Sequence, residues 1–372
     1  MRAIRLPWKG EKVPYALVDV IRGCNCVCKT CYNRERPRAK PLEEISRELD
    51  VIFAARRVEF VGILGGEPLL HPDIVRIVEM IKARGVGAVL LTNGILWDSK
   101  LAHVLGDAGL VMVYFHIQIG QRRPDLPENA TSDDVARLAE EKTAAAVAAG
   151  VDCAVSTTVS AAEPDRIAEV LTAFRRNPFS SHAFLTLERS MDTIDAGEER
   201  FGAVNSMERL ANVMRPLGWR PFAYIGGKVD PSRPRWTVCH SYQRLDAGGR
   251  ETGFVTLPPS FFERALFAAM KACGRKIPVR TDPSRGAVLA RIALNALTGG
   301  PLKNLPFVFS TLLRGERLRR KNVIAEAFPD LLPDGRPEYC EPCLDSVVKD
   351  GRLVPVCLVD TEFAKGVASC AS

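Results

Sequence analysis

Six apolar, β-rich runs alternate with amphipathic helical stretches between Tyr15 and about Glu188. The runs are YALVDVI, VEFVGIL, GAVLLTN, VMVYFHIQI, VDCAVSTTV and HAFLTLE. Such alternation is typical of repeated βα units and a parallel sheet. The continuous apolar character of the runs indicates that both faces of the sheet are covered. The sequence therefore predicts an α/β fold with six parallel strands.

Three cysteines with regular spacing follow the first predicted strand. Cys24, Cys28 and Cys31 lie in the run GCNCVCKTCYN, so three thiols share one short loop. Three thiolates can hold three irons of a 4Fe-4S cluster and leave the fourth iron open. A structural zinc site would need four closed ligands, and a disulfide framework is typical of a much shorter secreted chain. The spacing thus favours an iron-sulfur cluster, and Cys26 in the same loop is given no role.

The tetrapeptide Gly65-Gly66-Glu67-Pro68 follows the second predicted strand. Together with the cysteine spacing, it resembles the motifs of the radical S-adenosylmethionine (SAM) superfamily. The resemblance implies a (βα)6 partial barrel, a 4Fe-4S cluster on the three cysteines and SAM bound with its amino group at the tetrapeptide. We expect Glu67 to accept the SAM ammonium in a charge-assisted bond, and Gly65 and Gly66 to allow close backbone approach.

Further polar residues lie at the carboxyl ends of the predicted strands, where parallel sheets carry their chemistry. The candidates for cofactor binding are Asn93, Ser156, Thr157, Glu188 and Arg189. An Asn-Gly turn explains the first of these equally well. His116 and Gln118 share one strand face at a period of two, and we interpret them as catalytic candidates that line the substrate cavity. A satisfied polar pair near the barrel mouth is the alternative.

A second cysteine cluster stands near the C-terminus in CEPCLDSVVKDGRLVPVC. Two alternating runs and an Asp-Gly turn predict a hairpin that returns Cys357 to the side of Cys340 and Cys343. The segment resembles the auxiliary-cluster end of radical SAM enzymes of the twitch and SPASM kind, which implies a second 4Fe-4S cluster. A structural zinc knuckle is the competing interpretation. The candidates for a fourth ligand are Cys370, Cys239 and Cys273.

Positive charge is concentrated in one region. The whole chain has a formal net charge of +7, but residues 261–321 carry thirteen Lys or Arg against three acids. This region is predicted to be helical, with apolar faces and scattered basic residues, as in helices that meet anionic lipid. A helical insertion with a solvated basic face is the alternative. For the lipid interpretation, the side chains expected to face the membrane or an anionic substrate are Arg275, Lys276, Arg280, Arg285 and Arg291.

These observations predict three regions and an enzyme. Residues 12–190 would form the partial barrel, 191–330 a linker and a mainly helical basic region, and 331–372 a small iron-sulfur hairpin domain. The eleven cysteines and an oxygen-labile cluster favour the cytoplasm, with peripheral membrane contact as an extension. The N-terminus lacks the apolar core of a signal peptide.

The resemblance implies reductive cleavage of SAM and hydrogen abstraction from a bulky substrate, such as a lipid or isoprenoid. A peptide or natural-product maturase is one alternative, and a non-catalytic electron carrier with two clusters is another. We expect a reduced flavodoxin or ferredoxin-type donor and an organic substrate as partners, and no nucleic acid.

Overall fold

The computed structural model describes residues 3–28, 31, 33, 39–188, 206–273, 284–332 and 334–361. The strands in these residues are β1 (Ile4–Arg5), β2 (Tyr15–Ile21), β3 (Phe60–Gly65), β4 (Gly87–Thr92), β5 (Leu110–His116), β6 (Asp152–Val159), β7 (His182–Leu187), β8 (Ala223–Gly227), β9 (Pro234–Leu245), β10 (Glu251–Leu257), β11 (Arg317–Arg320), β12 (Asn322–Ala327), β13 (Asp330–Leu331), β14 (Pro337–Glu338), β15 (Cys340–Glu341), β16 (Ser346–Lys349) and β17 (Arg352–Pro355). The helices are α1 (Leu42–Ala55), α2 (Ile74–Ala83), α3 (Ser99–Ala108), α4 (Ser132–Ala148), α5 (Pro164–Arg176), α6 (Met207–Met214), α7 (Phe261–Ala272), α8 (Arg285–Leu297) and α9 (Leu305–Arg314).

Strands β2 to β7 pair in chain order and are all parallel. Helices α1 to α5 connect these strands in turn. The carboxyl ends of the six strands therefore lie at the same edge of the sheet. The helices bury apolar residues of the strands and of their own inner faces in one large core, with Ile63, Leu90 and Val113 among its fully buried members. The six predicted strands and the α/β partial barrel are confirmed.

The sheet continues beyond the sixth parallel strand. β12 pairs in parallel with β7, and β9 pairs antiparallel with both β12 and β8. The prediction of a linker and a mainly helical region over residues 191–330 is therefore wrong for 223–257 and 317–327. Helices are present there only as α6 to α9 within the described residues. The sequence pattern did not predict β9 because this strand buries Arg235, Gln243 and Arg244 among its apolar residues. Such polar residues are not expected in a buried strand.

The C-terminal hairpin has the predicted form. β16 and β17 pair antiparallel with Lys349 opposite Arg352. The two turn residues, Asp350 and Gly351, have φ values of 50° and 73°, as a type I′ turn requires. β16 packs beside β2, and Val347 joins a core cluster with strand residues of the barrel. The hairpin is thus packed into the barrel, while the three domain boundaries stay predictions.

Candidate active site

The cysteine loop and the Gly-Gly-Glu-Pro turn are joined directly through their backbones. The amide of Gly66 donates to the carbonyl of Ile21 at 2.6 Å, and the amide of Glu67 donates to the carbonyl of Gly23 at 2.9 Å. A Cβ on Gly65 would lie 2.0 Å from the Ile21 oxygen, and a Cβ on Gly66 would lie 2.3 Å from the Gly23 oxygen. Only glycine allows this approach, so the two motifs form one structural unit.

The carboxylate of Glu67 is fully buried and holds the neighbouring loops. It accepts hydrogen bonds from the Leu69 amide at 2.9 Å, the Thr92 hydroxyl at 2.6 Å and the Asn93 amide at 2.7 Å. Burial raises the pKa of Glu67, and these bonds oppose the shift. The adjacent Pro68 is also buried. The Glu67 carboxylate therefore fixes the turn, and its contact with the SAM ammonium stays a prediction.

Asn93 lies against the cysteine loop. Its side-chain amide donates to Asn25 Oδ1 at 2.7 Å, and its Nδ2 lies 3.9 Å from the Sγ of Cys24. Gly94 follows with φ of 72°, so the Asn-Gly turn is present as well. The two interpretations of Asn93 are compatible, since the turn is what directs the amide toward the loop.

Two residues that sequence reasoning missed stand beside the same loop. Gln121 Nε2 lies 3.7 Å from the Sγ of Cys28, and the guanidinium of Arg123 donates to Gln121 Oε1 at 3.1 Å and to the Asn93 carbonyl at 2.9 Å. Both side chains are buried, and Arg123 is paired with Asp125. From the sequence, the run GQRRP is typical of an exposed charged turn, and for that reason it was not predicted as part of the site. The signal that could have identified it is its position just after β5, at the edge of the sheet where the other candidates lie.

His116 and Gln118 have different environments. His116 Nδ1 lies 3.2 Å from the hydroxyl oxygen of Ser156. Burial lowers the pKa of His116 to about 4, and the charge of Arg123 adds to the shift, so the ring is neutral at pH 7. Gln118 Oε1 accepts from the Thr158 amide at 2.8 Å. Gln118 thus fits the alternative of a satisfied polar residue, whereas His116 and Ser156 form a pair on one sheet face.

The remaining candidates do not converge on this unit. Thr157 points to the opposite sheet face from Ser156, because side chains alternate along a strand, and it lines the space beneath α4 and α5 with Val135 and Val170. The Glu188 amide donates to the Val159 carbonyl. Arg189 lies outside the described residues. Thr157 is thus placed away from the cysteine loop.

The C-terminal hairpin brings the segment of Cys357 beside the start of β16, because the Val356 amide donates to the Asp345 carbonyl at 2.8 Å. Burial raises the pKa of Cys357, and the Cys340 thiol adds to the shift. Cys343 is buried, and its carbonyl accepts from the fully buried Arg56 at 2.9 Å. The convergence of Cys340, Cys343 and Cys357 on one site stays a prediction. Two carboxyl groups, Glu326 and Asp345, hydrogen bond to each other and lie near both thiols.

The fourth-ligand candidates are mostly excluded by position. Cys340 lies opposite Gly227 of β8. Val238, the residue before Cys239, lies opposite Ala223 of the same strand. The two cysteines are therefore about five residues apart along β8, or about 17 Å, which is too far for a shared cluster. Cys273 is exposed after the end of α7, whereas Cys340 and Cys357 are partly buried. Cys370 lies outside the described residues.

The C-terminal segment also reaches the first cysteine loop. Arg22 pairs with Asp360 at 2.6 Å, and its guanidinium donates to Asn33 Oδ1 at 3.2 Å. Asn33 in turn donates to the Arg22 carbonyl at 2.7 Å. Because Asp360 follows Cys357 by three residues, this ion pair holds the two cysteine-bearing segments together.

The donor set at the first loop fits an iron-sulfur cluster. Across the part of the chain that the structure describes, no three His, Cys, Asp or Glu side chains converge as metal ligands do. The chemistry nevertheless matches: three thiols share one loop, amide groups stand beside two of them, and the buried Arg123 cation offsets the negative charge that thiolates carry. Cys24, Cys28 and Cys31 are therefore suitable ligands.

Comparisons with known proteins point to one family. Residues 18–159 match the family model of the radical SAM superfamily. A GTP 3',8-cyclase of Chlorobaculum tepidum is 35% identical over 105 residues, covering 27% of this chain and 32% of the relative. An Fe-coproporphyrin III synthase of Methanosarcina barkeri is 30% identical over 115 residues, covering 29% and 28%. Streptococcus suis SuiB with its precursor peptide SuiA has a TM-score of 0.42 at 19% identity, covering 55% of this chain and 46% of SuiB.

The family match runs from within β2 to the end of β6 and includes the cysteine loop. Residues 18–159 of the chain are therefore a radical SAM domain. The family binds a 4Fe-4S cluster and SAM. The chain spans about a third of the length of the curated relatives it matches, and the match covers the barrel rather than the residues that follow it.

Proposed function

We propose that the protein cleaves SAM reductively and removes a hydrogen atom from an unactivated C–H bond of a bulky substrate, a lipid or isoprenoid. When held by Cys24, Cys28 and Cys31, the cluster would supply the electron that cleaves SAM, and SAM would supply the hydrogen-abstracting group. A reduced flavodoxin or ferredoxin-type protein is the proposed electron donor. The chain's own residues bind, orient and shield these groups.

The observation that carries the proposal is the direct joining of the two motifs. The cysteine loop and the glycine turn share two backbone hydrogen bonds, and two glycines are required for their approach. An electron carrier needs only the cysteines. A turn built this closely against the loop would serve a ligand that contacts both motifs, such as SAM.

The residues around the loop have separate roles. Asn93 and Gln121 present amide groups to Cys24 and Cys28, and hydrogen bonds to sulfur are one of the factors that set the reduction potential of a cluster. Arg123 links these two residues by donating to the side-chain oxygen of Gln121 and to the backbone carbonyl of Asn93. The neutral imidazole of His116 faces the same sheet side as Ser156 and is available to a substrate hydroxyl or amide.

We propose a second cluster at Cys340, Cys343 and Cys357. The support is the hairpin geometry, which brings Val356 against Asp345, and the links of this segment to Arg56 and Arg22. Reconstituted protein should then hold about two cubanes with four irons each. Zinc at this site, or four irons per chain in the wild type, would refute the second cluster.

The substrate class is tested by isotope transfer. Anaerobically reconstituted protein is supplied with SAM, a strong reductant and deuterated lipid extract, and 5'-deoxyadenosine is analysed by mass spectrometry. Deuterium in 5'-deoxyadenosine from the isoprenoid or lipid fraction supports the proposal. Transfer from a deuterated peptide fraction instead would favour the alternative of a peptide maturase, and stimulation by neither fraction would reject a lipid substrate. The Cys28→Ala variant, which lacks a cluster ligand, is the control for transfer by other routes.

A further inference from the structure

The helices α7, α8 and α9 carry a set of large apolar side chains that are exposed in the described part of the chain. The most exposed are Leu313 at 87%, Phe261 at 75% and Leu302 at 65%. Leu297, Phe309 and Leu312 are each exposed by more than half. We call these six residues the apolar helical surface. Elsewhere on the described chain, most exposed apolar residues are scattered singly, which is normal for a soluble surface.

The six side chains are grouped by the helix packing. Leu302, Phe309 and Leu313 follow one another at spacings of seven and four, so they lie along one stripe of α9 and the turn before it. The inner stripe of the same helix, with Phe307 and Val308, is buried against β10 and α8. The Phe261 amide donates to the Thr298 carbonyl at 2.9 Å, which places the start of α7 beside the end of α8 and Leu297.

The charge around this surface has one sign. Both acids in described residues 261–273 and 284–317 are buried, with Glu263 paired to Arg291 and Glu316 to Arg244. Arg291 was expected to face an anionic surface, and this pairing corrects that expectation. The exposed charged residues there are all basic: Arg264, Lys271, Arg285, Lys303, Arg314 and Arg317. The remaining three predicted contacts, Arg275, Lys276 and Arg280, lie outside the described residues.

We infer that the apolar helical surface binds the interface of an anionic lipid membrane. Exposed leucine and phenylalanine with surrounding lysine and arginine are the features of helices that lie in the headgroup region, where basic residues gain from the negative lipid charge. A second copy of the chain is a poorer occupant, because a symmetric contact would bring these like charges together. No described helix is long and apolar enough to cross a membrane.

Vesicle sedimentation tests the inference without SAM chemistry. The reconstituted full chain should sediment with vesicles of phosphatidylglycerol and phosphatidylcholine, and much less with phosphatidylcholine alone. The double variant Leu312→Ser/Leu313→Ser should bind at least about tenfold more weakly, since two exposed leucines no longer insert. Lys303→Gln/Arg314→Gln should lose about fivefold per charge, and high salt should reduce wild-type binding. The matched control is Val104→Ser/Val147→Ser, which changes half-exposed apolar residues on α3 and α4.

Three results would overturn the inference: no sedimentation of the wild type with anionic vesicles, equal loss of binding in the control and the leucine variant, or a wild-type dimer that the leucine variant converts to monomer. The last would assign the surface to self-association. Because vesicle binding is measured without reductant or SAM, its failure would leave the proposed radical chemistry untouched. Conversely, membrane binding without SAM cleavage would support the membrane inference and contradict the proposed radical chemistry.

Discussion

Glu67 separates two accounts of how the glycine turn works. In the structure its carboxylate is buried and accepts three protein hydrogen bonds. The Glu67→Gln variant keeps the shape but adds an NH2 group, so in either amide orientation a buried donor from Leu69, Thr92 or Asn93 meets another donor. Hydrogen bonds to charged groups contribute about 1.5 to 3 kcal/mol each. We therefore expect the free energy of unfolding to fall by about 2 to 3 kcal/mol.

The assay compares stability with SAM affinity across three variants. Urea unfolding and anaerobic SAM titration are measured for Glu67→Gln, Thr92→Val and Thr92→Ser. Thr92→Val removes one donor to Glu67 and the acceptor of the Gly94 amide at 3.0 Å, so it should lose about 1 to 2 kcal/mol of stability and weaken SAM binding without contacting SAM. Thr92→Ser keeps the hydroxyl and is the control, with stability near wild type.

The account would be refuted if the variants changed SAM affinity without changing the free energy of unfolding in the expected way. If the carboxylate contacts the SAM ammonium directly, Glu67→Gln should lose about 1.5 to 3 kcal/mol of SAM affinity with unchanged unfolding, and Thr92→Val should bind SAM normally. That pattern would restore the role expected from the sequence and contradict the role that burial assigns.

Other residues give further expected outcomes. Gln121→Leu removes the amide beside Cys28, so the midpoint potential of the first cluster should become more negative in an electron paramagnetic resonance titration. The folded pKa of His116, about 4, lies below its ordinary value of 6.5, so its contribution to stability is complete above pH 6.5 and falls as the pH drops toward 4. Between pH 7 and pH 5 the free energy of unfolding should therefore fall by about 1 to 2 kcal/mol less in His116→Asn than in the wild type. Lys321→Met removes an ammonium that donates to three buried carbonyls and should cost about 3 kcal/mol in urea unfolding, whereas Lys271→Met at an exposed site should cost little.

The sequence was sufficient for the parts of the fold that repeat a simple pattern. The six strands could be predicted because they are short apolar runs that alternate with amphipathic helices. The hairpin could be predicted because Asp350 and Gly351 suit a two-residue turn. Strand β9 could not be read in this way. Its buried Arg235 and Gln243 are tolerated because distant residues, Asp330 and Glu251, pair with them.

The candidate site shows the same division. The spacing of the cysteines and the glycine turn predicted where the chemistry lies, because both motifs are local. The burial of Glu67 depends on Thr92 and Asn93 of the next strand end, and the contact between Gln121 and Cys28 joins residues 93 positions apart. Contacts of that separation are set by the register of the parallel sheet, which no local pattern in the chain specifies.

The central claim is tested most directly by the products of SAM. Wild-type protein, reconstituted anaerobically and given a strong reductant, should release 5'-deoxyadenosine and methionine. Cys24→Ala, Cys28→Ala and Cys31→Ala should release neither and lose the SAM-binding cluster by iron counting and electron paramagnetic resonance, while Cys26→Ala retains both. SAM cleavage at the wild-type rate in Cys28→Ala would contradict the cluster assignment. Wild-type protein with intact clusters that never cleaves SAM, even with lipid and peptide fractions supplied, would instead indicate an electron carrier.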